Sequence, residues 1–346
     1  MSHRTPVARV RTALLTAAAA AAVVLAGTVT VPTATAAPLP VPGAKSADGS
    51  QLVTVTKTGD RQLNIEVRSA AMNKVIPLSV ILPKDRSAPR PTLYLLNGAG
   101  GGEDAATWER QTDVVKFFSD KNVNVITPNA GAYSYYTDWE RTDKVLGKPL
   151  WSTFLGKELP TIIDQAFATT GRNAIAGISS SASSVLNLAV EHPGLYRSVG
   201  AYSGCAASSS PAGQAYVRLV VESRGGANVT NMWGRYPGPG WTNHDALVTA
   251  PKLRGTSLYI SSGSGLPGKY DNQADLRPGA DLGSQIILGG PIEAATNACT
   301  HQLAERLGQL KIPATFHFPG GGTHSWGYWQ DELHRSWPQL GRAIGA

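Results

Sequence analysis

Short apolar runs closed by Asn, Gly or Pro recur along this chain with helical patterns between them, and that alternation restricts the fold to an α/β layer arrangement. Residues 79–83, 92–96, 123–128, 173–176, 198–202, 256–260 and 314–318 read as strands. Residues 113–120, 154–167, 182–191 and 292–310 read as helices. The stretch 206–250 is the least periodic, with Gly225-Gly226 and Pro237-Gly238-Pro239-Gly240, and reads as an irregular excursion from the sheet. Residues 50–346 are expected to form one domain, since a single α/β core runs to about 250–300 residues before chains tend to split.

Charge has to be located before it can be used. The formal charge of +7 suggests an acidic partner, but Arg4, Arg9 and Arg11 open the chain and are followed by an uncharged, apolar run over residues 13–27. Val31-Pro32-Thr33-Ala34-Thr35-Ala36 then offers the small residues Ala34 and Ala36. A basic start, an apolar centre and an A-x-A site make a secretory signal peptide, with cleavage expected after Ala36 and a short exposed lead-in over 37–49. The apolar run is shorter than the roughly 20 residues a membrane anchor needs. Removing the three leader arginines from 31 basic residues leaves 28 against 24 acidic ones, about +4, scattered with no run of five, so no nucleic-acid footprint is indicated. Cys205 and Cys299 are then in an oxidising compartment and are expected to form one disulfide, two buried thiols being the alternative.

Gly177-Ile178-Ser179-Ser180-Ser181 falls where a strand ends and a helix of small residues begins, the context of a nucleophile elbow. A Ser-rich helix start capping its own N–H groups is the alternative. A nucleophilic Ser needs a base and an acid, which in α/β hydrolases follow it in the order Ser, Asp/Glu, His. Of seven His, His324 lies in Gly320-Gly321-Gly322-Thr323-His324-Ser325-Trp326, after the last expected strand, where such a base belongs. An oxyanion hole needs backbone N–H donors. Ser180 supplies one by following the nucleophile, and Ala99 supplies another from the loop Asn97-Gly98-Ala99-Gly100-Gly101-Gly102 after an early strand. That Gly-rich loop is not a nucleotide site, because no Lys-Ser/Thr follows and Glu103 stands at the last Gly of a dinucleotide fingerprint.

From Tyr94-Leu95-Leu96-Asn97-Gly98 onward the chain resembles the mycolyltransferases of the antigen 85 type and their corynebacterial relatives. The shared strings include Tyr136-Thr137-Asp138-Trp139, Gly177-Ile178-Ser179, Met232-Trp233-Gly234 and Gly322-Thr323-His324-Ser325-Trp326. The resemblance implies an α/β-hydrolase fold with a mostly parallel sheet and helices on both faces. It also implies secretion to the cell envelope and acyl transfer between trehalose esters, or onto cell-wall arabinogalactan, through an acyl-enzyme on Ser179. It implies oxyanion donors at Ala99 and Ser180, substrate contacts at Asn97, Gly98, Ser325 and Trp326, and no metal or cofactor.

Pro291-Ile292-Glu293 resembles the family's helix start and makes Glu293 the expected acid, although its spacing to Thr296-Asn297 is three residues shorter. Asp271, Asp275 and Asp281 are rivals read as solvated loop acids. Asn97 and Gly100 stand where antigen 85 proteins carry Asp and Arg, which places this chain closer to the corynebacterial branch. These departures keep open a secreted carboxylesterase with the same triad. A catalytically silent binding protein ranks last, because nucleophile and base are both present.

Overall fold

A computed structural model describes residues 39–346, so the expected leader over 1–36 lies outside the described residues. Nine strands form one sheet: β1 (Gln51–Lys57), β2 (Gln62–Ser69), β3 (Lys74–Ile81), β4 (Thr92–Leu96), β5 (Asn124–Pro128), β6 (Asn173–Ile178), β7 (Tyr196–Tyr202), β8 (Ser257–Ser261) and β9 (Thr315–His317). Their order is β1-β2-β3-β5-β4-β6-β7-β8-β9. β1, β2 and β3 pair antiparallel and join the antiparallel face of β5, whereas β5 through β9 run parallel.

The burial of each strand follows from its place. β4, β5 and β6 are buried at every position, as parallel strands covered on both faces must be, and this is why they read as mostly apolar runs rather than alternating ones. β2 alternates buried and exposed residues, the signature of an antiparallel strand with one wet face. β1 and β2, rich in Thr, Gln and charged residues, have no counterpart among the expected strands.

The principal helices are α1 (Leu159–Phe167), α2 (Ser180–Glu191), α3 (Pro211–Arg218), α4 (Gly289–Gln309) and α5 (Trp326–Ile344). Two apolar layers cover the sheet. One joins Tyr94 and Leu96 of β4 to Ile162 and Ile163 of α1, Val185 of α2 and Leu303 of α4. The other joins Leu93 and Leu95 of the same strand to Trp108 and to Leu333, Trp337 and Leu340 of α5. Period-two alternation along one strand thus feeds both faces.

Residues 206–250 carry short helices separated by irregular turns. They hold α3, a π-helical segment Leu219–Arg224 and two one-turn helices, Val229–Trp233 and Pro239–Asn243. These pieces pack on a core of their own around Trp139, Val221, Met232, Trp233 and Trp241. The π-helical segment and the brevity of each piece hide the 3.6-residue period from a sequence reading.

Candidate active site

β4 and β6 are neighbours, and the chains leaving their carboxyl ends go to opposite faces of the sheet, toward Trp108 and α2 respectively. Ligands of open α/β sheets bind at such a switch point. Ser179 follows β6 directly. Its backbone has φ 57° and ψ −126°, a strained conformation for a residue with a side chain, and its N–H donates to the Tyr202 carbonyl at 2.9 Å. The turn is closed by Ser181, whose Oγ accepts from Ile178 N–H and donates to the Ile178 carbonyl, each at 2.9 Å. A Cβ on Gly177 would come within 2.6 Å of that Oγ, so Gly177 can carry no side chain while Ser181 occupies the place usually held by a second glycine.

A continuous hydrogen-bonded path starts at Ser179. Its Oγ lies 2.8 Å from His324 Nε2, and His324 Nδ1 lies 2.7 Å from Glu293 Oε2. Glu293 sits near the start of α4 and is buried. Its other oxygen, Oε1, accepts from Ser203 Oγ at 2.8 Å, Ser262 Oγ at 2.9 Å and Gly263 N–H at 2.5 Å. With Oε1 so occupied, the network assigns the Nδ1 proton to the bond with Oε2 and leaves Nε2 to accept from Ser179. The ring of His324 meets Trp329 edge-on at 5.0 Å, and Trp329 Nε1 donates to Ser203 Oγ at 3.0 Å.

The loop that carries His324 is tied down on both sides. His324 N–H reaches the Gly289 carbonyl at 3.3 Å, and Gly322 N–H reaches Leu266 at 2.7 Å. Asp271 accepts from Thr323 Oγ1, from Tyr328 OH at 2.6 Å, from Gln285 Nε2 at 2.8 Å and from Gly268 N–H at 2.8 Å. Burial pushes the Asp271 carboxyl up, but these hydrogen bonds outweigh it and hold it below the usual Asp range. Asp271 is therefore a clamp on the loop and not a solvated acid. Asp281 caps a one-turn helix by accepting from Ser284 N–H, and Asp275 accepts from Asn272; neither is hydrogen-bonded to His324.

Opposite Ser179, the loop after β4 brings Gly98 close, an added Cβ there lying 3.7 Å from Ser179 Cβ. Among the described residues, neither Ala99 N–H nor Ser180 N–H has an acceptor. Glu103 Oε1 anchors the loop by accepting from Gly131 N–H at 2.9 Å and Ala132 N–H at 3.1 Å. At Gly100 the carboxylate of Asp104 fills the space a side chain would take, 2.0 Å from where a Cβ would stand. Two free donors beside a Ser–His–carboxylate path can hold the oxyanion formed when Ser attacks an ester.

Asn97 does not reach this crevice. It is fully buried, its Nδ2 donates to the Pro128 carbonyl at 3.1 Å and its Oδ1 accepts from Trp108 N–H at 3.2 Å. The expected substrate contact is corrected on that ground: both polar ends serve the backbone, which gives Asn97 a structural task. Ser325 is buried at the start of α5, and half-buried Trp326 packs edge-on against Trp108 and Trp329. Tyr135, Tyr136 and Trp139 are core, whereas Tyr133 is half-buried.

Cys205 and Cys299 form a disulfide with a Cα–Cα distance of 5.0 Å, joining the segment after β7 to α4 six residues beyond Glu293. Tyr216 of α3 packs on this bridge and brings its hydroxyl to 3.1 Å from Ser179 Oγ. Ser203, Ser262 and Tyr216 were not legible as site residues in the sequence, because each arrives from an element whose position only the fold defines. Among the described residues no group of three or more His, Cys, Asp or Glu is arranged to hold a metal, and no helix is long and apolar enough to cross a membrane.

Residues 69–340 match the Esterase family model. The chain is 31% identical over 293 residues to diacylglycerol acyltransferase/mycolyltransferase Ag85A of Mycobacterium tuberculosis, covering 82% of this chain and 81% of that protein. Among solved structures it resembles MPT51 of Mycobacterium tuberculosis, with TM-score 0.69, 24% identity, and coverage of 83% of this chain and all of that one. It also resembles the fluorophosphonate-binding serine hydrolase FphF of Staphylococcus aureus, with TM-score 0.60, 18% identity, and coverage of 82% and 98%. The two structural likenesses show the α/β-hydrolase fold. The chain belongs to the Esterase family and, within it, to the mycolyltransferases of the antigen 85 type.

Proposed function

We propose that the chain is a secreted serine acyltransferase that moves a mycolyl-type acyl chain between trehalose esters, or onto cell-wall arabinogalactan, through an acyl-enzyme on Ser179. The observation that carries the reading is the unbroken path Ser179–His324–Glu293, at 2.8 and 2.7 Å, beside the unpartnered N–H groups of Ala99 and Ser180. His324, oriented by Glu293, takes the Ser179 proton as Oγ attacks the donor ester. The oxyanion rests on Ala99 and Ser180 N–H, and the departing sugar oxygen takes the proton from His324. A second sugar hydroxyl then gives its proton to His324 and accepts the acyl group. Trehalose as the sugar rests on the resemblance of the sequence motifs to antigen 85-type mycolyltransferases, acyl transfer on the mycolyltransferase relative, and export on the leader pattern of residues 1–36.

A second reading has an observation in its favour. Asn97 is buried and the place of a Gly100 side chain is taken by the Asp104 carboxylate, so the loop presents an acid where antigen 85 proteins carry an Arg, and water can compete as the acyl acceptor. A secreted carboxylesterase with the same triad would result. Incubation of the protein with a trehalose monoester decides between them. Accumulation of diester is expected, and release of free acid alone would overturn transfer in favour of hydrolysis.

A further inference from the structure

The second hydrogen-bond partner of Ser179 Oγ comes from α3. The ring of Tyr216 packs against Cys205, Ala207 and Cys299, so the disulfide backs the side chain whose hydroxyl stands 3.1 Å from Oγ. The direction of that bond follows from the rest of the path. Ser179 directs its own proton to His324 Nε2, because Nδ1 is engaged with Glu293. Tyr216 O–H is then the donor, and Oγ receives it on a lone pair.

We propose that Tyr216 is a catalytic residue of acyl-enzyme breakdown, its O–H stabilising Ser179 Oγ as that oxygen leaves the acyl carbon. This rests on the reading that Ser179 carries the acyl group. In that step the acceptor hydroxyl loses its proton to His324 Nε2 and its oxygen bonds to the acyl carbon. The bond from carbon to Oγ then breaks, its electron pair passes to Oγ, and Oγ takes the proton back from His324. Tyr216 keeps its proton throughout. Burial pushes its hydroxyl up to about 12, with the nearby Glu293 adding to the rise and the bond to Ser179 opposing it.

The bond acts unequally on the two half-reactions. In the free enzyme Oγ belongs to a hydroxyl, a good acceptor that Tyr216 already stabilises before attack. In the acyl-enzyme Oγ is an ester oxygen, a poor acceptor, and becomes a strong one only as negative charge returns to it. More of the bond energy is therefore gained on the way to the transition state of deacylation than of acylation. A residue that only fills space would not separate the two steps.

The test uses the full chain with Tyr216→Phe, which keeps the ring on the disulfide and removes one oxygen. Turnover of a p-nitrophenyl ester, intact-mass detection of the acyl adduct and the rate of fluorophosphonate labelling are compared with wild type. Losing a hydrogen bond to a developing charge should lower kcat about ten- to hundredfold, with acyl-enzyme accumulating on Ser179 and labelling changed by no more than about threefold. Labelling at that rate also shows that the variant is folded. Unchanged turnover without an accumulated adduct, or labelling and turnover falling together, overturns the role. A wild-type protein whose Ser179 never takes an acyl group overturns the underlying reading as well, and Ser179→Ala run alongside identifies that case.

Discussion

Glu293 and His324 come from opposite ends of the segment that closes the sheet, and they meet at 2.7 Å through Oε2 and Nδ1. The carboxylate is 1% exposed and every donor that reaches it is fixed by packed backbone or a buried hydroxyl, so the imidazole has one orientation. Glu293→Gln should keep the fold but allow an amide N–H₂ to face Nδ1, favouring the tautomer in which Nε2 carries the proton. A fall in kcat of about 10³–10⁴ with KM little changed is expected, the order seen when a triad acid is converted to its amide. Steady-state ester hydrolysis measures it, and a loss smaller than tenfold would show that another group orients His324.

Ser262 acts on His324 through Glu293, and Ser203 acts both through Glu293 and through Trp329, whose ring meets the imidazole edge-on. Replacing both with Ala leaves Oε1 with the Gly263 N–H alone and strips Trp329 Nε1 of its acceptor. Each lost bond to a buried charged group costs about 1.5–3 kcal/mol. The double variant should melt several degrees lower and lose activity at the same time, whereas either single variant should lose less than half as much. Thermal melting and kcat/KM measured on the same samples check the coupling.

The disulfide closes a long loop, since its cysteines are 94 residues apart. Restricting the unfolded chain over such a span stabilises a fold by roughly 2–5 kcal/mol. Cys205→Ser with Cys299→Ser should therefore lower the melting temperature by several degrees. It should also weaken the backing of Tyr216, so that acyl-enzyme breakdown suffers more than fluorophosphonate labelling. Equal loss of both would separate the bridge from the site.

The Asp271 clamp sets a pH dependence. Its carboxyl is held below the ordinary value of 3.8, so its stabilisation is fully present above about pH 4 and is lost as pH falls through the still lower folded-state value. Asp271→Asn should lower stability at neutral pH by on the order of 1 kcal/mol, discounted because the group is partly exposed. The gap from wild type should close as the pH is taken below about 4. Chemical denaturation at several pH values measures it, and a gap that stays constant into acid would show that the clamp does not depend on the charge.

The parts of this molecule that were legible in the sequence are those whose signal is local. β4 is a buried five-residue run, apolar after Thr92, and coincides with its expected bounds, and the elbow is marked by a strand stopping at a serine before small residues. Glu293 needed the resemblance as well as its place in chain order; its Oε2 lies 2.7 Å from His324 Nδ1, whereas Asp271 is bonded to Thr323 and Tyr328. β1 and β2 are half-exposed strands of mixed polarity whose pairing partners define them more than their composition does. Tyr216 lies on a helix of eight residues followed by a π-helical segment, too short a stretch for its apolar face to say what it packs against. Asn97 shows the opposite failure: a polar residue beside the site reads as a ligand contact until its two backbone partners are seen.

The proposed reaction turns on the acyl-enzyme at Ser179, and mass spectrometry of the protein quenched during turnover of an acyl ester tests it most directly. The expected result is an acyl adduct on the peptide containing Ser179, absent in Ser179→Ala, which should also lose turnover. Turnover that continues in Ser179→Ala, or an adduct on another residue, would contradict it.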